Sequence, residues 1–123
     1  MDMKQLALMM AVLLLAGQSM VADGRLIADP IVEQAIRVEL EKPKGKLTKT
    51  DLAQVTALYL DRTHITREGL KEVAKLQQLE ELGLSRTQIT DEDLKEVAKL
   101  QQLKVLILFN TQITDAGFKE VVQ

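Results

Sequence analysis

The ten residues Leu70 to Leu79 (LKEVAKLQQL) recur unchanged as Leu94 to Leu103, an offset of 24 residues. The same offset brings Thr63, Thr87 and Thr111 into one column, Ile65, Ile89 and Ile113 into another, and Leu58, Leu82 and Leu106 into a third. The periods run over 55–78, 79–102 and 103–123, and the last is incomplete. A unit this short cannot bury its own apolar side, so copies must stack and share one core. No other feature of the chain limits its fold so closely.

Each period opens in the same way: Val55, Leu58, Leu60, Thr63, Ile65; then Leu79, Leu82, Leu84, Thr87, Ile89; then Leu103, Leu106, Leu108, Thr111, Ile113. The two-residue period of a strand puts both residues of each L-x-L pair on one face. The chain then returns along an amphipathic helix, with Leu70, Val73, Ala74 and Leu76 inward and Lys71, Glu72 and Lys75 outward. The pattern L-x-x-L-x-L-x-x-T-x-I resembles the leucine-rich-repeat signature, with Thr where Asn or Cys is more usual. The expected architecture is α/β: a short leucine-rich-repeat solenoid with a parallel concave sheet and convex helices.

Upstream, Asp29-Pro30 is a helix start, and Ile31, Val32, Ala35, Ile36 and Leu40 supply an apolar stripe, which predicts a helix over 30–41. Pro43 to Lys46 breaks it, and Thr48 with Asp51 forms a capping box for a short helix through about Gln54. Residues 23–54 are therefore expected to be a linker and a helical amino-terminal cap. With the repeats, this arrangement resembles exported bacterial leucine-rich-repeat proteins of the internalin-like kind. The resemblance implies a binding module, and it implies no particular binding residue.

Residues 1–22 differ from the rest: Lys4 precedes the unbroken apolar stretch Leu6 to Ala16, and Gly17, Gln18 and Ser19 follow. This reads as a secretory signal peptide cleaved after Ala22 or Ser19. Eleven apolar residues are too few to span a bilayer, which takes roughly 20. No cysteine follows Leu15-Ala16-Gly17 to take a lipid, so the mature protein is expected to be secreted or periplasmic, with no stable membrane insertion. With no cysteine at all, it must fold without disulfides.

Composition argues against several functions. The 16 basic and 18 acidic residues are interspersed, leaving no basic stripe for nucleic acid. His64 is the lone histidine, in a column shared with Gln88 and Gln112, and a metal or catalytic site would need converging partners that the sequence does not supply. The Thr63, Thr87 and Thr111 column reads as hydroxyls bonding the backbone of neighbouring turns, because a nucleophile needs an adjacent base. Asp91-Glu92-Asp93 reads as an acidic first helical turn rather than a calcium site. The chain is thus expected to be no enzyme and to carry no cofactor and no metal.

Freedom from the core marks the columns Ala57/Glu81/Val105, Tyr59/Gly83/Ile107, Asp61/Ser85/Phe109 and Arg62/Arg86/Asn110 as the candidate binding surface. Tyr59, Asp61, Arg62, Glu81, Arg86, Val105, Ile107, Phe109 and Asn110 are its expected contact residues for a protein partner. Tyr and Arg are enriched in interfaces. Three short strands about 4.8 Å apart give a face of only about 200 Å², against the roughly 800 Å² per partner of a standard interface. A partner must therefore also touch loops, helices or the open end. The unfinished third turn and the apolar strip Val105 to Phe109 raise two further expectations, homo-association as a self-assembling structural unit, or a fragment of a longer repeat protein.

Overall fold

The computed structural model describes residues 25–122, so the export signal expected over 1–22 lies outside the described residues. Helix α1 spans Pro30–Leu40 and helix α2 Lys49–Ala53. Three strand and helix pairs follow: β1 (Ala57–Tyr59) and α3 (Arg67–Val73), β2 (Glu81–Gly83) and α4 (Asp91–Val97), then β3 (Val105–Ile107) and α5 (Asp115–Val122). The strands form one parallel sheet in the order β1-β2-β3. Its register joins Ala57 to Glu81 to Val105 and Leu58 to Leu82 to Leu106, which is the 24-residue offset read from the sequence.

Local chemistry sets the element ends. Asp29 accepts from the N–H groups of Ile31 and Val32 at 2.9 and 3.0 Å, with Pro30 in the first turn. Thr48 and Asp51 exchange the two capping-box bonds at 3.1 and 2.8 Å. Helix α1 stops at Glu41, whose left-handed backbone (φ 53°) turns its N–H back to the Arg37 and Val38 carbonyls.

Leu58, Leu60, Leu82 and Leu84 are fully buried together with Leu70, Leu76, Leu79 and Leu94, and Val32 and Ile36 of α1 join the same core. The third layer is different. Leu103, Leu106, Leu108, Ile113 and Val121 are half-buried, and Phe118 and Val122 are exposed.

Two expectations are corrected. Glu72 does not point into solvent. Its side chain is only 14% exposed, and it accepts from the backbone N–H groups of Ala28 and Asp29 while pairing with Lys75 at 2.7 Å. Burial pushes its carboxyl up, but the Lys75 bond and the two N–H groups outweigh that and hold it below the usual carboxylate range. The threonine column does not bridge turns either. The Thr63, Thr87 and Thr111 hydroxyls donate to the carbonyls of Leu60, Leu84 and Leu108 in their own turns, at 2.6, 2.7 and 3.0 Å. Three residues is the reach of a hydroxyl across a tight turn.

Helix-to-helix packing uses a different column. Arg67 pairs with Asp93 of the next turn at 3.0 Å. One turn later Asp91 accepts from both the N–H and the hydroxyl of Thr114, and the space beside its carboxylate is occupied by backbone only, at Gly117. A Cβ at Gly117 would lie 2.1 Å from the Asp91 Oδ1. Gly117→Ala is therefore expected to destabilise the fold by about 1–3 kcal/mol, and by clearly less in an Asp91→Ala background. Urea denaturation of the single and double variants checks this, and strict additivity would contradict it.

Candidate functional site

Strand alternation turns Ala57 and Tyr59 of β1, Glu81 of β2 and Val105 and Ile107 of β3 to the face opposite the leucines. Tyr59, Val105 and Phe109 are exposed, and Ile107 is half-buried. Asp61, Arg62, Arg86, Phe109 and Asn110 lie beyond the strand ends, where Asp61, Arg62, Ser85, Arg86, Phe109 and Asn110 line a hollow of about 560 Å³.

This turn is built the same way three times. Arg62, Arg86 and Asn110 each adopt left-handed backbone, with φ of 62°, 58° and 55°. Such angles are uncommon for residues other than glycine. The backbone ladder continues through the turn, with the Arg62 N–H on the Ser85 carbonyl at 2.9 Å and the Arg86 N–H on the Phe109 carbonyl at 2.8 Å. Both arginine side chains are exposed, and among the described residues neither takes part in an ion pair.

The neighbouring column has an internal task that sequence reading missed. Asp61 accepts from the Ser85 N–H at 2.8 Å, and the Ser85 hydroxyl accepts from the Phe109 N–H at 2.9 Å. Each short polar side chain thus satisfies the backbone of the following turn. Two small acceptors, Asp then Ser, one period apart were the available signal. Phe109 carries no acceptor and is 74% exposed.

On β1 the Tyr59 hydroxyl donates to the Glu81 carboxylate. The ring leans across to β2 over Gly83, where a Cβ would lie 3.0 Å from the Tyr59 ring and 2.7 Å from an Asp61 oxygen. The bond to Glu81, with burial and the charges of Glu81, Glu39 and Asp61, raises the Tyr59 phenol above its ordinary value. Beside the ring, α1 and β1 enclose an apolar groove that no residue pattern announced.

His64 is exposed on its turn. The Asp91, Glu92 and Asp93 carboxylates are engaged by Thr114, Lys95 and Arg67 respectively, and among the described residues no three metal-binding side chains converge. No described helix is long and apolar enough to cross a membrane.

A family model described as Leucine Rich repeat matches residues 75–98, from the end of the first return helix through β2 and α4. The match supports a leucine-rich-repeat protein. The small parallel sheet with its helices is compatible with the α/β fold of that class, whose members generally serve as non-enzymatic interaction modules. No curated protein matches the chain.

Proposed function

We propose that this chain is an extracytoplasmic protein-interaction module that engages its partner through the strand face and the turns beside it. The observation that carries this reading is the pair Arg62 and Arg86, exposed, held in left-handed backbone and unpaired among the described residues, next to exposed Tyr59. Exposed guanidinium groups free of ion pairs among the described residues are available to a partner, and Arg is enriched in interfaces. In this reading the three periods form a short solenoid of internalin-like, bacterial type, with α1 and α2 as its amino-terminal cap. Packing of Val32 and Ile36 into the shared core supports the cap.

The partner is sought by affinity capture with the chain as bait, wild type beside the combined Tyr59→Ala, Arg62→Ala, Arg86→Ala variant. A protein held by the first and released by the second supports the proposal, and equal retention by both contradicts it. Export rests on Lys4 and the Leu6 to Ala16 stretch. Amino-terminal sequencing of exported protein should read from Asp23 or Met20, whereas intact Met1 confined to the cytoplasm would contradict export.

Self-association is the second reading, favoured by exposed Val105 on β3 and exposed Phe109 just beyond it. Light scattering at micromolar concentrations would then give a mass that rises with concentration and falls back in Phe109→Lys.

A further inference from the structure

The groove between α1 and β1 combines three features that together select a ligand class. Its floor is apolar, made by Ile31, Ala35 and Leu60, and it encloses about 460 Å³, room for one or two aliphatic side chains. Val38 stands 66% exposed at its rim, away from the buried side that Val32 and Ile36 supply, so it adds apolar surface continuous with the floor. Tyr59 forms one wall. Gly83 beneath it and Glu81 at its hydroxyl fix the ring across the sheet, leaving the phenol body 47% exposed.

Charge gives the groove its direction. Glu39 lines it beside Tyr59, Glu81 accepts from the Tyr59 hydroxyl, and an Asp61 oxygen lies over Gly83 beside the ring. Among the described residues none of the three pairs with a lysine or arginine, while the ion pairs present elsewhere take Glu33, Asp51, Glu68, Glu72, Glu80, Glu92, Asp93 and Glu96. An aromatic face framed by carboxylates that no lysine or arginine neutralises attracts a cation, and attracts it more strongly when the aliphatic stem of that cation lies on apolar surface.

We propose that this groove seats a basic segment of a partner protein, with an aliphatic side chain between α1 and β1 and the adjoining lysine or arginine over Tyr59 toward Glu39 and Glu81. The proposal rests on the interaction-module reading and names the chemistry of its partner. It also enlarges the contact area beyond the sheet, which by itself is too small for a standard interface.

Tyr59 is the chain's only tyrosine and tryptophan is absent, so tyrosine emission reports on the surroundings of this one ring, and the Val38 and Glu39 variants assign a change to the groove. The full chain is titrated with acetyl-Ile-Leu-Lys-Lys-amide and with the counterpart carrying glutamate for both lysines. The lysine peptide should change the Tyr59 emission saturably and bind at least tenfold more tightly than the glutamate peptide. Val38→Gln, which removes apolar surface without adding charge, and Glu39→Lys, both at exposed helix positions, should each weaken it at least threefold without lowering the thermal midpoint. Equal response to both peptides, no saturable response, or indifference to both variants would overturn the proposal. A natural partner that depends on Arg62 and Arg86 but ignores both Val38→Gln and Glu39→Lys would overturn it too, while leaving the interaction-module reading intact.

Discussion

Leu82→Ala should lower the unfolding free energy by about 2–5 kcal/mol, the usual loss for a large-to-small change in a close-packed core. Leu82 sits on the middle strand, fully buried, with Leu58 and Leu106 as its register partners on either side. Neither neighbour can move to fill the void without disturbing its own layer. Since small domains are stable by only about 5–15 kcal/mol, much of the protein's stability would go with one side chain. Leu106→Ala provides the contrast: the same residue type in the same column, but in a half-buried layer. It should cost less than half as much in urea denaturation. Equal losses would mean that the third layer is covered in solution, and a loss at Leu106 that grew with protein concentration would assign that cover to a second copy.

The combined Tyr59, Arg62 and Arg86 variant should weaken a captured partner by at least 100-fold, because a few Tyr and Arg anchors carry most of the energy in an interface and each is worth about 1–2 kcal/mol or more. The three side chains are exposed and outside the shared core, so Arg62→Ala and Arg86→Ala should each change the unfolding free energy by no more than about 0.5 kcal/mol, and Tyr59→Ala by that plus the loss of its bond to Glu81. Asp61 would be a poorer choice. It is bonded to the Ser85 N–H, and its removal would leave that donor unsatisfied and confuse folding with binding.

Periodicity carried the sheet register, the buried leucines and the return helices, because stacking repeats a single local solution every 24 residues. The Asp29-Pro30 start and the Thr48 box were equally legible, as caps depend on neighbours within three residues. Relations between elements were not. Variation in the Asp61/Ser85/Phe109 column looked like freedom, although Asp61 and Ser85 each serve the next turn. Glu72 looked solvent-facing because helical spacing is silent about the segment 28–29 that lies against it. The α1 and β1 groove arises where two elements without a common period meet, and Val38 had no place in the apolar stripe that marked the core face.

Partners are expected to meet the strand face, its turns and the adjoining α1 groove rather than the outward faces of α3 and α4. Site-specific photo-cross-linking tests this most directly, with a photoreactive residue placed in turn at Arg62, Arg86 and Ile107 and, for comparison, at exposed Lys71 and Lys95 of the helices. The account predicts cross-links to one protein from the first three positions and none from the last two. Cross-links from Lys71 or Lys95 to that protein, with Arg62, Arg86 and Ile107 silent, would contradict it.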